Sequence, residues 1–360
     1  MQASTAAVSG AVLSNCARNL SNNNQAEAGS TGSASDSNTL YIYTWANYID
    51  DELRQAFQDK TGTAVTVDIY DSNETMLAKL EAGGGSAYSI VYPSDYAVSQ
   101  MVESNLVMKL DQSRLNGLDN LGNKWQNPAY DPNNQYSVPT TWGTTGFIYD
   151  PEKLGTELQG WDYLYDNQAA LARQITLLND VREVMGATLK YLGYSLNSTN
   201  PDEIQEAYET LVELKPAIAA FLTNGWEDQL ASGDLSVAMA YSADALNLIA
   251  EAPNLTYVVP ESGASLWTDT MAIPATAPNV DAAYEWINFI LEPENSAGLA
   301  ERLKFATPNQ AAVNLLPTDL KNNKNLFPPE AVIEKSEEIV TVPPEIADLY
   351  DRYWTQLTSA

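Results

Sequence analysis

The 360-residue sequence has no histidine and a single cysteine, Cys16. Without histidine, Ser-His-Asp and Cys-His nucleophile systems are excluded, as are the commonest general base and the commonest metal ligand. One cysteine supports neither a disulfide framework within the chain nor a thiolate zinc site. We therefore predict no catalytic residue, no metal site and no cofactor.

Positive charge is also scarce, because 18 Lys and Arg stand against 47 Asp and Glu, a formal net charge of -29. Such a charge repels a phosphate backbone, so a nucleic-acid partner is not expected. Two interpretations remain open: the negative field attracts a cationic partner, or it keeps a secreted protein in solution.

Long apolar runs are missing too. The sequence has no stretch of 18 apolar residues, so it does not predict a membrane-spanning helix. Residues 1–37 are rich in Ala, Ser, Asn and Gly, with "AVLSNCARN" followed by a polar stretch. The segment resembles a bacterial lipoprotein processing site in which Cys16 carries the lipid. Either the true start lies upstream, or Cys16 is an ordinary thiol in a polar tail; both predict a flexible linker.

From Thr39 onward, strand patterns alternate with helix patterns. The strand "TLYIYTW" precedes a helix predicted from Asp51 to Lys60 and closed by Gly62. The next strand, "AVTVDIYD", has three apolar residues on one face, and further helix and strand patterns follow. This βαβαβα order predicts a parallel sheet with helices on both faces.

A chain of this length exceeds the usual limit of a single core, so two lobes are expected. Between Asn127 and Asp150 the sequence predicts extended chain with turns, where one lobe passes to the next. Asn200 and Pro201 mark a strong helix start, and "SLWTDTMAIP" predicts a later strand.

Four short groups stand out as candidate site residues. Trp45 and Tyr48 follow the first strand, at the carboxyl edge where open α/β sheets bind ligands. The other groups are "PSDY" at 93–96, "DVRE" at 180–183 and "WTD" at 267–269. Each has a structural alternative: a packed aromatic, an ordinary turn, or a capping box in which an Asp and a Glu satisfy helix amides. A carboxylate can also cap a helix and face a cleft at once.

Together these groups indicate a cation site. Desolvated carboxylates need cationic partners, and aromatic faces attract ammonium groups at about 0.5 to 2 kcal/mol each. We predict that a slender aliphatic polycation binds between acids and rings. The predicted acids are Asp180, Glu183 and Asp269, and the rings are Trp45, Tyr48, Tyr96, Tyr241 and Trp267.

In order and spacing, the chain from Asn38 to its last helix resembles the periplasmic polyamine-binding proteins, the spermidine and putrescine receptors of ABC importers. The matching segments are "LYIYTWANYI", "DSNETMLAKLEAG", "YPSDY", "DPNNQYSVPTTWGTT", "DVREV" with "LKYLGYS", "GDLSVAMAYS", "LWTDTMAIP", "INFILEP" and "ATPNQAA".

The resemblance implies the two-lobed type II periplasmic binding protein fold. Each lobe is a mixed, mostly parallel sheet flanked by helices, and a hinge joins the lobes so that they close on ligand. We place residues 38–143 and 269–316 in lobe 1 and residues 144–268 and 317–360 in lobe 2. The resemblance also implies a monomer that delivers ligand to membrane permease subunits from the periplasm, with Cys16 as a candidate lipid anchor.

The resemblance carries a ligand-binding role onto matched positions: Trp45, Tyr48, Ser94, Tyr96, Asp180, Glu183, Tyr241, Trp267 and Asp269. Tyr241 stands where spermidine receptors have Trp.

Three departures from the family pattern affect one ammonium anchor. Asn47 replaces an acid, Phe305 replaces a Tyr, and a late Gln has no counterpart near Ile339. Asp95 is the candidate substitute charge.

Two rivals remain open from the sequence. The same fold could bind another solute, such as a basic amino acid or an anion, although an anion would require Arg, Lys or helix N-termini in the cleft. Alternatively, two of the carboxylates could serve a hydrolase such as a glycosidase.

Overall fold

The computed structural model describes residues 38–359 except 47 and 71. The strands of this part of the chain are short apart from the fourth. They are β1 (Thr39–Trp45), β2 (Ala64–Tyr70), β3 (Ile90–Val91), β4 (Ser137–Tyr149), β5 (Ile175–Leu177), β6 (Ile218–Phe221), β7 (Val237–Tyr241), β8 (Thr256–Val258) and β9 (Leu266–Ala272).

Helices separate most of these strands, and within the described ranges none is both long and apolar enough to cross a membrane. They are α1 (Asp51–Thr61), α2 (Asn73–Glu81), α3 (Asp95–Glu103), α4 (Asn123–Gln126), α5 (Pro151–Leu154), α6 (Trp161–Asp166), α7 (Val181–Tyr191), α8 (Pro201–Leu214), α9 (Glu227–Ser232), α10 (Ser242–Glu251), α11 (Val280–Leu291), α12 (Pro293–Leu303), α13 (Gln310–Leu315), α14 (Thr318–Lys321), α15 (Glu330–Ile333) and α16 (Pro344–Ser359). Short 3-10 turns occupy Gly84–Ala87, Gln112–Arg114, Leu118–Asn120 and Lys215–Ala217.

Local signals place the helix ends as predicted. Helix α1 begins at Asp51, and Gly62 ends it with φ 77°, in the left-handed region that glycine adopts without strain. Helix α8 begins at Pro201, with the Asn200 side chain accepting a hydrogen bond from Asp202 N at 3.1 Å. The predicted starts of α1 and α8 and the predicted end of α1 are therefore confirmed.

Strand β2 departs from its predicted pattern at Ile69, which is 62% exposed. The reason is its position, because β2 is the edge strand of the sheet and pairs with β1 alone. An edge strand extends beyond the helices that cover the centre, so alternation of apolar residues does not guarantee that each is buried.

One sheet runs through the described chain in the order β2-β1-β3-β9-β4-β7-β5-β6, with β8 also beside β4. Strand β1 is parallel to β2 and β3, as the βαβ pattern predicts. Strand β4 is buried over all 13 residues. Its first part, Ser137–Thr144, pairs with β9, and its second part, Thr145–Tyr149, pairs with β7. This strand therefore joins the two halves of the sheet.

The predicted turns within this crossing are absent from β4, which is a continuous strand. Pro139, which lacks an amide donor, lies where the register with β9 shifts between Pro139 and Thr141. An irregularity of this kind accommodates proline inside a sheet.

Each half of the sheet has its own core. The larger cluster of the first half packs Ile42, Ile90 and Met271 of the sheet against α11 residues such as Trp286. The larger cluster of the second half packs β5 and β7 against α7, α8 and α16. The expected mixed α/β architecture in two halves is thus confirmed. The exact lobe bounds stay a prediction, and Leu326, predicted in lobe 2, packs in the cluster of the first half.

Candidate ligand-binding site

Asp269 of β9 is the point at which three separate segments meet. Its carboxylate accepts hydrogen bonds from the Tyr48 hydroxyl and, at 2.6 Å, from Ser94 Oγ. Ser94 precedes α3, yet its side chain makes no capping bond, so its hydroxyl is committed to Asp269. Burial raises the pKa of Asp269 to about 6, and the two hydroxyl donors oppose part of that rise.

Aromatic rings extend from Asp269 toward the second half. The ring of Tyr48 lies 4.5 Å from that of Phe305, and Phe305 and Trp267 meet edge to face at 6.2 Å. Trp267 in turn meets Tyr241, at the end of β7, at 6.0 Å and 83°. Four predicted aromatic positions from both halves therefore form one continuous row.

Gly143 of β4 makes room for Trp267. A Cβ at this position would lie 2.2 Å from the indole ring, closer than atoms can approach. The orientation of Trp267 thus depends on a glycine that sequence reasoning did not identify, because only the β4–β9 pairing brings the two together.

Trp45 is half-buried and is the last residue of β1, one position before the predicted strand-to-helix loop. Its indole Nε1 donates to the Tyr92 carbonyl at 2.9 Å, and its ring packs 4.6 Å from Tyr70. These contacts orient the ring by packing, and the ligand-binding role of Trp45 stays a prediction.

Asp180 and Glu183 form the acid pair of the second half, on α7 after β5. Asp180 caps the helix, because its side chain accepts from Arg182 N at 2.9 Å and Glu183 N at 3.0 Å. Glu183 does not complete the predicted capping box. Its Oε1 instead accepts from Ser265 Oγ at 3.0 Å.

The acid pair is strongly desolvated. Burial, followed by the charge of Asp180, raises the pKa of Glu183 to about 8. Burial also raises the pKa of Asp180, and the negative charge of Glu74 raises it further. Glu74 lies on α2 of the first half, so acids from the two halves approach each other closely enough to interact.

Tyr96 marks this approach. Its hydroxyl donates to Glu74 Oε1 at 3.1 Å. Burial and the charges of Glu74 and Asp180 raise the pKa of Tyr96 well above its ordinary value. Sequence reasoning missed Glu74 because an acid in a first helical turn is explained by the helix dipole, and missed Ser265 because its partner is 82 residues away.

Asp95, the first residue of α3, is also buried. Its two oxygens accept from Tyr96 N at 2.8 Å and Thr268 N at 3.2 Å, which fastens α3 to β9. Burial and then the charge of Glu338 raise its pKa. A substitute contact from Asp95 to a ligand stays a prediction. Asn47 and Cys16 lie outside the described residues.

The described site combines three buried or half-buried acids with no ion-pair partner. The ion pairs found among the described residues involve neither Asp180, Glu183 nor Asp269. No group of three or more potential metal ligands occurs in the same part of the chain. Acids of this kind, separated by aromatic faces, suit a ligand with several ammonium groups joined by methylenes.

Known proteins provide an independent comparison. A model of the bacterial extracellular solute-binding proteins matches residues 52–328. A spermidine/putrescine-binding periplasmic protein of Salmonella typhimurium is 36% identical over 333 residues, covering 91% of this chain and 94% of that protein.

Two solved structures are also similar. The spermidine/putrescine ABC transporter substrate-binding protein PotD of Streptococcus pneumoniae shares 34% identity at a TM-score of 0.81, over 89% of this chain and 98% of that one. The TpPotD lipoprotein of Treponema pallidum shares 28% identity at a TM-score of 0.80, over 89% of this chain and 100% of that one.

Proposed function

Given that this chain belongs to the bacterial extracellular solute-binding proteins, we propose that it is a polyamine receptor that delivers spermidine or putrescine to an ABC importer. The observation that carries the proposal is the uncompensated charge of the cleft. Asp180, Glu183 and Asp269 are desolvated without an ion-pair partner among the described residues, and burying a charge without its partner costs several kcal/mol.

The proposed ligand fits this arrangement in charge and shape. Ammonium groups meet Asp269 at one end and the acid pair at the other, while the methylenes between them lie along Tyr48, Phe305, Trp267 and Tyr241. Trp267 meets Phe305 and Tyr241 edge to face, and ring faces attract aliphatic and cationic groups.

Closure of two lobes on the ligand is part of the proposal. Tyr48 and Ser94 belong to the first half, the acid pair belongs to the second, and Asp269 lies on β9, which pairs with the strand that joins them. A ligand that contacts all of them stabilises whichever arrangement brings them together. We expect compaction in small-angle scattering when spermidine is added.

The names of two similar proteins support a periplasmic location and a lipid anchor. The Salmonella protein is named periplasmic, and the Treponema protein is named a lipoprotein. We propose a periplasmic monomer that binds without turnover, contacts permease subunits and carries a lipid on Cys16.

Calorimetric titration with putrescine, spermidine, spermine and arginine tests the proposal. We expect saturable binding of at least one of the first two, with weaker binding of arginine, and recovery of the ligand unchanged. Absence of polyamine binding, or turnover of a bound compound, would overturn it.

A further inference from the structure

The carboxyl group of Glu183 is left half-satisfied by its surroundings. The residue is 3% exposed, and Ser265 Oγ occupies Oε1 at 3.0 Å. Among the described residues, no group donates a hydrogen bond to Oε2, although this atom is fully buried. A buried carboxylate oxygen without a donor is costly when the group is ionised.

The other two site acids each accept two hydrogen bonds. Asp180 accepts two backbone amide hydrogen bonds, and Asp269 accepts two hydroxyl hydrogen bonds. Glu183 accepts one formed hydrogen bond, from Ser265, and the nearby hydroxyl of Thr145 opposes its raised pKa only in part. Of the three acids, it is therefore the one whose ionised form the protein stabilises least.

The charged and titratable groups around Glu183 do not compensate for the missing donor. Arg182, on the same helix, points elsewhere: its guanidinium donates to the Val340 carbonyl at 3.1 Å and Asn197 Oδ1 at 2.9 Å, and packs over Tyr350. The titratable groups that interact with Glu183 or with its partner Asp180 are Asp180 and Arg182 on α7, Tyr241 at the end of β7, Tyr257 on β8, Tyr96 on α3 and Glu74 on α2. Apart from Arg182 these are acids or phenols.

We propose that Glu183 keeps a proton while the cleft is empty, and that an ammonium group of the incoming ligand displaces this proton to the solvent. Ser265 is the positioning residue, because its bond to Oε1 leaves Oε2 for the proton and then for the ammonium. This inference rests on the proposed function and adds a dependence on pH. Polyamine binding exchanges a ligand cation for a proton, so a lower pH weakens the affinity.

The exchange balances in charge and atoms. The O–H bond of the protonated Glu183 breaks, the proton passes to a buffer base, and the carboxylate accepts a hydrogen bond from the ammonium, which keeps its own charge. The elevated pKa of Glu183 agrees with a group that is still largely protonated at pH 7. Below that pKa, affinity should rise up to about tenfold per pH unit.

Calorimetry in two buffers measures the exchange directly. Spermidine is titrated into the full chain at pH 7 in phosphate and in Tris, whose ionisation enthalpies differ. A released proton adds the buffer's enthalpy to the heat of binding, so the two heats should differ by the equivalent of about one proton per ligand.

Four variants test whether the released proton comes from Glu183. In Glu183→Gln the difference between buffers should fall to near zero, whereas Asp281→Asn, an exposed acid outside the cleft that pairs with Arg114, should keep it. Ser265→Ala should move the release toward higher pH, because Oε1 loses its donor, and Ser265→Thr should restore it. A structural role alone would weaken binding without moving the pH profile.

A second readout needs no ligand, and so remains valid if Glu183→Gln fails to bind. Infrared difference spectra of the empty protein between pH 6.5 and 9 should contain the carbonyl band of a protonated carboxyl that disappears at high pH. The band should lose intensity in Glu183→Gln and keep it in Asp281→Asn, because the other buried acids, Asp95 and Asp180, contribute equally to both spectra.

The outcomes separate the two proposals. Normal spermidine affinity with equal heats in both buffers, or a proton release or carbonyl band of unchanged size in Glu183→Gln, would overturn the exchange and leave the receptor intact. Absence of spermidine binding in either buffer would overturn the proposed function, and the exchange with it.

Discussion

Asp269 and Glu183 are both almost fully buried, at 4% and 3% exposure, yet the protein treats them differently. Asp269 lies on β9, where Tyr48 and Ser94 from the first half both donate to it. Glu183, in the second half, accepts one formed hydrogen bond, from Ser265, lies near the Thr145 hydroxyl and faces a second acid. One end of the cleft therefore holds a ready carboxylate, and the other holds a carboxyl that becomes charged only when a cation arrives.

Asp269→Asn should have the largest effect on binding. The substitution keeps the shape and removes a charge that faces an ammonium, and such truncations cost about 2 to 5 kcal/mol, roughly 30-fold to several thousandfold in Kd. Calorimetry with spermidine at pH 7 measures the loss, and Asp281→Asn is the control for surface charge. Parent-like affinity in a folded Asp269→Asn protein would remove Asp269 from the site.

Glu183→Gln should have a smaller effect at pH 7, because there it removes a carboxyl that must first give up a proton. We expect its loss of affinity to be roughly tenfold milder than that of Asp269→Asn at pH 7, and the gap to narrow by pH 8.5, where the parent is mostly ionised. Parallel pH profiles for the two variants would contradict the difference between the two ends.

Trp267→Ala should weaken binding by about 1 to 3 kcal/mol, roughly 5-fold to 150-fold, because it removes ring area and a cation-π contact. Trp267 lies between Phe305 and Tyr241, so both ends of the cleft should lose affinity. The affinities of putrescine and spermidine, measured together, check this. Unchanged values for both would show that the ring belongs to packing alone.

The stability of the empty protein should fall as pH rises from 6 to 8. Glu183 and Asp269 have pKa values raised above their unfolded values, so the folded state binds more protons in this range and loses that advantage on ionisation. The slope should be at most about 1.4 kcal/mol per pH unit for each such group.

Chemical denaturation at pH 6, 7 and 8 measures this slope. Glu183→Gln should flatten the fall of the unfolding free energy with pH. With saturating spermidine the protein should instead be more stable at pH 8 than at pH 6, because the ligand stabilises the ionised form. A stability that rises over this range in the empty protein would contradict the assignment of raised pKa values to the two acids.

Phe305→Tyr should have the smallest effect. Phe305 is 8% exposed and packs on Tyr48 and Trp267, so an added hydroxyl either reaches an ammonium and improves affinity slightly or changes nothing. A loss of more than about tenfold in Kd, seen by calorimetry, would show that the site does not follow the family arrangement.

Much of the fold could be predicted because helix ends and strand periods are set by local sequence. The Asp51 and Gly62 ends of α1, the Asn200 cap of α8 and the β1–β2–β3 alternation all follow from neighbouring residues. The exposure of Ile69 could not be predicted from its neighbours, because it depends on which strand forms the edge of the sheet.

The candidate site shows the same limit. Its acids and rings stood out as residue types in suggestive positions, and the structure brings Tyr48 against Asp269 across 221 positions of sequence. Supporting residues carried no such signal. Ser265 and Gly143 are an unremarkable serine and glycine until folding places them against Glu183 and Trp267.

A crystal structure of the chain with spermidine would show whether the two carboxylates bind the ligand at opposite ends of the cleft. We expect one ligand in the cleft, with an ammonium nitrogen within hydrogen-bond distance of Asp269 at one end and another within hydrogen-bond distance of Glu183 Oε2 at the other. A ligand bound outside this cleft, or one whose ammonium groups contact neither carboxylate, would contradict it.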